Sequence, residues 1–354
     1  MVLTFFDISL ALSIGIFTGL VLQRGRICTN TAFRNILLIG NIELFLAIII
    51  TITVELIGYL LLSLNRIPGL TFVSNPIPFS IILLPLGGFI FGIGTVVAGG
   101  CAGGTCYRIG EGSLKSLLAF IGFTTGIGLF AIGPLSDLMN EIREKTLWKI
   151  SDQVPSLELF FPRWVWTVLA IIMMLGVIYF YKNSTKKLTH LLPRWTPIVS
   201  GLILGILGVF ARISSTSTGR DFGFSTIDGI GNIVESILLI DPSNIQWAGI
   251  FIIGLISGAF LSSIQIKEFK LKIPNKVDSI RFFGGGLLLG LGAMLAMGCN
   301  FGHILGGIPE LGISSIVAFL FMILGNSLGS YIFYIKLEQK IPDSTPGELT
   351  IIFR

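Results

Sequence analysis

The sequence predicts an all-α polytopic membrane protein, and three observations support this fold class. Hydrophobic residues make up 53% of the chain and charged residues only 12%, whereas a soluble domain carries about 25% charged residues. Mean hydropathy is +0.88, and apolar runs of roughly 18 to 20 residues recur, each long enough to cross a bilayer as a helix. The 44 glycines fit this class, since small residues let helices in lipid approach one another closely.

Nine apolar runs predict nine membrane-spanning helices. Their predicted bounds, in chain order, are 8–24, 43–63, 81–98, 114–133, 163–181, 197–211, 246–262, 283–297 and 314–335. When the loops are assigned to alternate sides, seventeen of the 24 Lys and Arg residues fall on one side and seven on the other. Because cytoplasmic loops carry the excess of positive charge, this count predicts an outside N-terminus and a cytoplasmic C-terminal tail at 336–354.

A glycine-rich segment with a central cysteine occurs twice, around Cys101 and around Cys299. The glycines that match at one fixed offset are Gly87 with Gly285, Gly88 with Gly286, Gly92 with Gly290, Gly94 with Gly292 and Gly100 with Gly298. Closer to the start of each copy, the matched pairs are Arg26 with Arg212, Arg34 with Arg220 and Cys28 with Ser214. The chain is therefore predicted to contain two copies of one unit.

These copies predict the domain organisation. Residues 1–133 form the first repeat of four spans, 134–196 a connector with one extra span, and 197–335 the second repeat. A single span between two even-numbered units makes the second copy enter the membrane from the opposite side, which predicts two inverted four-helix repeats around a central path.

Four short segments are predicted to be re-entrant helices. They are 32–39, 230–240 and the stretches that follow Cys101 and Cys299. Irregular backbone at membrane depth is tolerated only where it is buried in protein or lines a cavity, so these breaks are predicted to mark the path.

Three cysteines are the candidate site residues. Cys101 and Cys299 each follow a glycine, Gly100 or Gly298, and precede a short helix, whose free N–H groups and dipole favour an anion. The alternative is that both are small apolar residues in tight helix packing. Their recurrence in both repeats favours function, and so does Cys28, which has no cysteine counterpart in the second copy.

Other polar and reactive residues leave alternatives open. Cys106 has no cysteine counterpart and is interpreted as structural. Arg26 and Arg34 either attract an anion or lie in interfacial loops. Glu111 and Glu310 recur symmetrically, and an acidic residue near the membrane is costly unless it is paired or caps a helix, of which capping is the simpler interpretation.

Composition and charge exclude other classes of function. The two histidines do not have metal-ligand spacing, so no metal site is expected. The net charge of +5 is typical of orientation-setting loops in a membrane protein and does not indicate nucleic-acid binding. No nucleotide-binding motif is present, so ATP hydrolysis by this chain is not expected.

Three segments resemble the signature segments of the YeeE/YedE membrane protein family. They are Gln23-Arg24-Gly25-Arg26-Ile27-Cys28, the glycine-rich run at 99–112, and Gly298-Cys299-Asn300-Phe301-Gly302. The resemblance implies an hourglass-shaped protein of nine spans plus re-entrant helices, with Cys28, Cys101 and Cys299 lining the substrate path. It further implies a bacterial inner-membrane transporter for thiosulfate uptake and a small cytoplasmic sulfur-carrier protein as partner.

The chemistry of thiosulfate fits neutral thiols. The ion is a dianion with a soft terminal sulfur, and a thiol offers a weak S–H donor and a polarizable surface, whereas a thiolate would repel it. The expected protein is thus a transporter and not an enzyme, with no cofactor. The alternatives are a membrane sulfurtransferase or oxidoreductase that works through a cysteine persulfide, or a transporter of a related sulfur or selenium compound.

Overall fold

A computed structural model describes residues 3–64, 72–131, 133–150, 153–183, 195–238, 240 and 245–336. Within this part of the chain, nine helices are long and apolar enough to cross a membrane, which confirms the predicted number of spans. Their main helices are α1 (Phe5–Gly25), α3 (Glu43–Leu64), α4 (Leu83–Val97), α6 (Leu114–Ala131), α8 (Arg163–Asn183), α9 (Pro197–Thr216), α11 (Trp247–Gln265), α12 (Lys276–Ala296) and α13 (Ile313–Ser330). The first stretch continues from α1 to Ile39, and the third from α4 to Gly110.

Short helices lie between these spans at the four predicted places. They are α2 (Thr29–Ile39), α5 (Ala102–Gly110), α10 (Thr226–Leu238) and a π-helix (Phe301–Gly307). Both α5 and α10 pack against α11, α2 packs against α13, and the π-helix packs against α3. The short helices are therefore surrounded by spanning helices.

The structure also departs from the predicted bounds. Helix α12 begins seven residues earlier than predicted, because its first turns are polar and fall outside the apolar run. The Asn275 side chain caps this helix by accepting a hydrogen bond from the Asp278 N–H at 2.7 Å. The connector contains elements that the apolar pattern did not predict. They are the amphipathic helix α7 (Ser136–Thr146) and the strand β2 (Leu147–Trp148), which pairs antiparallel with β1 (Phe79–Ser80). The predicted tail lies outside the described residues beyond Lys336.

Helix packing repeats between the two halves. Helix α1 packs along α11 and α9 along α3, while α4 packs along α13 and α12 along α6. Glycines lie at these contacts: the Cα atoms of Gly15 and Gly254 face each other across α1 and α11, and Gly126 and Gly290 do so across α6 and α12. Each spanning helix of one half thus packs mainly against a helix of the other half.

Candidate functional site

Cys28 and Cys101, which are far apart in sequence, are neighbours in the structure. Their Sγ atoms are 3.3 Å apart, and both side chains are buried. Each cysteine is the residue immediately before a short helix, Cys28 before α2 and Cys101 before α5. The Cys101 Sγ also accepts a hydrogen bond from the Gly104 N–H at 3.3 Å. Two of the three predicted site cysteines therefore form one thiol pair.

Glycines shape the turn that leads into this pair. Gly99 has φ +69°, a left-handed conformation that glycine adopts without strain. A Cβ atom on Gly100 would lie 2.7 Å from Nη1 of Arg108, whose guanidinium donates to the Gly99 carbonyl. The predicted site residue Gly100 thus leaves space for an arginine beside the thiol pair.

Cys299 has a hydroxyl neighbour instead of a thiol. Its Sγ lies 2.8 Å from Thr226 Oγ1 and accepts from the Gly302 N–H at 3.4 Å. Thr226 therefore stands beside Cys299 as Cys28 stands beside Cys101. The sequence alignment of Cys28 with Ser214 does not describe this site, because Ser214 lies within α9 and accepts a hydrogen bond from Trp247 Nε1 at 2.8 Å. The segment that precedes the short helix is longer in the second repeat than in the first, so an alignment at one fixed offset does not pair Cys28 with Thr226.

Asn300 joins the two cysteine sites. Its Oδ1 accepts from the Ala102 N–H at 3.3 Å, and its Nδ2 donates to Thr29 Oγ1 at 2.8 Å. Because Ala102 and Thr29 follow Cys101 and Cys28 directly, the residue after Cys299 is bonded to the residues after both other cysteines. Sequence reasoning missed Asn300; the signal was a polar residue where the first copy has Ala102.

A cavity of about 380 Å³ reaches the Cys299 site from one face of the protein. Its wall includes the buried residues Gly298, Gly302 and Ser225, which flank Cys299 and Thr226 in the sequence. A Cβ atom on Gly298 would lie 2.7 Å from His303 Nε2, so only glycine leaves both the ring and the cavity in place. The charged residues of the cavity wall are Arg220, Asp221 and Asp228.

His303 is held by hydrogen bonds on both ring nitrogens. Its Nε2 lies 2.9 Å from the Ala296 carbonyl, so that nitrogen carries the proton, and its Nδ1 accepts from the Ser315 hydroxyl at 3.2 Å. The ring is completely buried. Among the described residues no group of three or more His, Cys, Asp or Glu side chains is arranged to hold a metal ion.

The recurrent arginines and glutamates form equivalent ion pairs. Arg26 Nη1 lies 2.7 Å from Glu111 Oε1, and Arg212 Nε lies 2.7 Å from Glu310 Oε1. Arg26 also pairs with Glu268, so two carboxylates balance its charge. Both glutamate side chains therefore pair with arginines. Glu111 is also the C-cap residue of α5, where its backbone N–H donates to the Tyr107 and Arg108 carbonyls, whereas Glu310 is not the cap residue of the π-helix or of α13.

The remaining predicted residues lie close to these elements. Arg34 lies within α2, the helix that follows Cys28. Cys106 lies within α5 and is completely buried. All four cysteines are free thiols.

Comparison with known proteins gives a consistent family. A family model described as sulphur transport matches residues 24–328. The thiosulfate transporter TsuA of Spirochaeta thermophila is 34% identical over 335 residues, which cover 91% of this chain and 98% of that protein. The thiosulfate transporter TsuA of Escherichia coli is 29% identical over 341 residues, which cover 92% of this chain and 94% of that protein.

Proposed function

The chain belongs to the sulphur-transport family, whose model matches most of its length, and we propose that it is a transporter that takes up thiosulfate. The observation that carries the proposal is the cavity lined by Gly298 and Gly302, on either side of Cys299, whose neighbour Asn300 bonds to the residues that follow Cys28 and Cys101. The thiosulfate transporters to which this chain is similar align over more than nine-tenths of it, which supports the same cargo. A transporter, and not an enzyme, is the class that these relatives indicate.

The ion passes from the cavity to Cys299 and then to the pair of Cys101 and Cys28. Gly298 and Gly100 leave the space that the His303 ring and the Arg108 guanidinium occupy beside the two sites. The soft sulfur of thiosulfate accepts from neutral thiols, because a thiolate at about 4 Å from a dianion would be repelled by roughly 8 kcal/mol at an effective dielectric near 20. Two weak sites in series hold the ion loosely enough to release it onward.

The path lies between two inverted repeats, residues 1–133 and 197–335. The exchange of packing partners supports this arrangement, since α1 packs with α11 as α9 packs with α3. So do the paired cysteine sites and the paired Arg–Glu contacts. In the bacterial inner membrane, the N-terminus lies outside, so the cavity beside Cys299 opens outward and the thiol pair lies nearer the cytoplasm.

Uptake of labelled thiosulfate into vesicles that contain only this protein tests the proposal. We expect Cys101→Ala and Cys299→Ala to abolish or severely reduce uptake at unchanged protein level. Cys106→Ala, which removes another buried thiol of α5, is the matched control and is expected to keep most of the uptake. Wild-type uptake by both site variants would contradict the site assignment.

Mass spectrometry of the cysteines after turnover separates transport from sulfur transfer. Transport leaves all four thiols unmodified. A persulfide on Cys28, Cys101 or Cys299 would instead support the alternative of a membrane sulfurtransferase. Competition by selenium compounds in the same uptake assay defines the cargo.

A small sulfur-carrier protein receives the ion at the cytoplasmic face. The exposed side chains of Lys267, Lys270 and Lys272 lie on the segment whose backbone bonds to the loop at 111–113, next to the Arg26 ion pairs. Positive charge therefore lies near the end of α1 that precedes Cys28. Neutralising Lys267, Lys270, Lys272 and Lys276 is expected to weaken carrier binding in a pull-down, and unchanged binding would exclude the docking site.

A further inference from the structure

Helix α3 carries a carboxyl group, Glu55, that the transport site does not use. The side chain is completely buried in the middle of a spanning helix. Neither Oε1 nor Oε2 has a hydrogen-bond partner among the described residues. An ionised carboxylate without a donor is costly in such surroundings, so Glu55 holds a proton in this conformation.

A second orphaned group lies between Glu55 and the cavity. Tyr59 is one helical turn after Glu55 on the same face of α3, and its buried hydroxyl has no hydrogen-bond partner among the described residues. A Cβ atom on Gly223 would lie 2.7 Å from this hydroxyl. Gly223 directly follows Phe222, which lines the cavity. The tyrosine hydroxyl therefore lies at the cavity wall, one helical turn along α3 from the buried carboxyl.

Arginine and glutamate residues of neighbouring elements face this pair. Arg212 on α9 and Arg163 at the start of α8 both lie over the Phe72 ring, 5.1 and 4.9 Å from its centroid. The Phe72 ring packs in turn on Tyr59, with 5.4 Å between the two ring centroids. Arg163 pairs with Glu158 and Arg212 with Glu310, and Glu310 interacts electrostatically with Glu55. The other elements packed on α3 contribute Arg34 of α2 and the hydrogen-bonded His303 of the π-helix.

Arg212 pairs with two carboxylates in this structure, Glu310 at 2.7 Å and Asp221 at 3.4 Å, and with neither oxygen of Glu55. Without a cationic partner Glu55 keeps its proton. A shift of Arg212 from Glu310 toward Glu55 would release the proton of Glu55. Helix α3 packs against the π-helix that follows Cys299, and through this contact movement of the cargo past Cys299 would reach Arg212 and Glu55.

The repeat shows that the scaffold does not need a carboxyl at this place. Gly15 of α1 packs on Phe251 of α11, and the equivalent Gly201 of α9 packs on Ala47 of α3, so Ala47 corresponds to Phe251. At the same spacing Glu55 of α3 corresponds to Ala259 of α11, which is also completely buried. One copy thus packs with a methyl group where the other has a carboxyl group, so the carboxyl is not required for helix packing.

We propose that Glu55 is a proton-binding site that couples thiosulfate uptake to proton entry, an inference that rests on the proposed function. A dianion that enters a cell works against a membrane potential that is negative inside, and each accompanying proton offsets one of its charges. The proton reaches Glu55 from the cavity by way of Tyr59 and leaves after the arginine shifts.

Proteoliposomes of the full chain, with the membrane potential clamped at zero, test the coupling. With one proton per ion, an inside-alkaline gradient is expected to drive thiosulfate accumulation up to about tenfold per pH unit. Glu55→Gln mimics the protonated carboxyl, so it should lose this accumulation. It should still exchange labelled for unlabelled thiosulfate within about twofold of the wild-type rate. Glu43→Gln, at the start of the same helix, is the matched control and should keep both activities.

The outcomes are distinguishable. Accumulation by Glu55→Gln at the wild-type level, or wild-type thiosulfate entry without proton entry, would overturn the coupling alone. Absence of thiosulfate exchange in the wild-type protein would overturn the proposed function and the coupling together. If Glu55→Gln loses exchange, Glu55→Asp must restore gradient-driven accumulation; failure of both variants would assign Glu55 a structural role and overturn the proposal.

Discussion

At the scale of single residues, the two cysteine sites differ in the partner of the cysteine. Cys101 faces the thiol of Cys28, and Cys299 faces the hydroxyl of Thr226. A hydroxyl is a stronger hydrogen-bond donor and a less polarizable neighbour than a thiol. The Cys299 site is therefore suited to the oxygen atoms of thiosulfate as well as its sulfur, and the thiol pair is suited to the sulfur.

Replacing Thr226 by Val tests this difference, because valine keeps the shape and removes the hydroxyl. We expect thiosulfate uptake to fall several-fold, since a net hydrogen bond is worth about 0.5 to 1.5 kcal/mol. Ser214→Ala is the control, because Ser214 is a buried hydroxyl in the same repeat that bonds to Trp247. A Thr226→Val variant with wild-type uptake at all thiosulfate concentrations would show that the hydroxyl plays no part.

Replacing Cys101 by Ser separates hydrogen bonding from sulfur chemistry. Serine donates a hydrogen bond but is less polarizable and cannot form a persulfide. If neutral donation carries the ion, Cys101→Ser should keep more uptake at pH 7 than Cys101→Ala. Equal loss in the two variants would mean that the sulfur atom itself is required, and would favour the covalent alternative.

Sequence reasoning found the cysteines but not their polar partners. Cys101 and Cys299 are visible because glycines repeat around them at one offset. Thr226 does not align with Cys28 at the fixed offset, because the segment before α10 is longer than the segment before α2. The role of Asn300 cannot be read from its own repeat, because its hydrogen bonds are to residues of the other repeat. Contacts between repeats depend on how two helical units pack, which the local pattern of either unit does not contain.

At the scale of elements, glycine sets the distance between helices of opposite repeats. A Cβ atom on Gly19 of α1 would lie 2.9 Å from the Ala259 nitrogen of α11 and closer still to the Leu255 carbonyl. The backbone of α11 cannot move aside as a side chain can. The prediction that glycine lets helices approach closely is thus confirmed for α1 and α11.

Gly19→Ala should therefore force α1 and α11 apart and lower stability by about 1 to 3 kcal/mol, the usual cost of overpacking. Gly284→Ala in α12 is the matched control, because nothing lies within 4 Å of its added Cβ atom. It should leave stability unchanged or raise it slightly. Thermal unfolding of both variants in detergent gives the comparison, and equal Tm values would contradict the packing argument.

The two equivalent Arg–Glu pairs differ in burial. Arg212 and Glu310 are 1% and 0% exposed, whereas Arg26 and Glu111 are 23% and 12% exposed. Each arginine has a second carboxylate partner, Asp221 for Arg212 and Glu268 for Arg26. Removing one partner of a buried pair costs about 3 to 5 kcal/mol, because the other charge stays buried. Glu310→Gln should therefore lower Tm more than Glu111→Gln does. The opposite order would show that burial does not set the strength of these pairs.

At the scale of the whole molecule, the cavity and the start of the chain lie on the same face. The Ser217 hydroxyl lies 3.3 Å from Asp7 Oδ1 in the first turn of α1, and the cavity wall begins nearby, at Gly219. Arg26, at the other end of α1, pairs with Glu268 near the lysine-rich segment. The orientation of the N-terminus therefore decides whether the Cys299 site opens outside or toward the cytoplasm.

The distribution of Lys and Arg predicts the N-terminus outside, and labelling in intact cells tests it. Asp221 lines the cavity and is 44% exposed, so Asp221→Cys should react with a membrane-impermeant thiol reagent added from outside. Lys270→Cys, also exposed but on the opposite face, should react only after the membrane is opened. The four native cysteines are buried and should contribute little background. A reporter fused before Met1 should likewise report the outside and one after Arg354 the cytoplasm. The reverse pattern would place the thiol pair of Cys28 and Cys101 at the outer side and reverse the direction of the proposed path, because the ion would then meet those two sulfurs before Cys299.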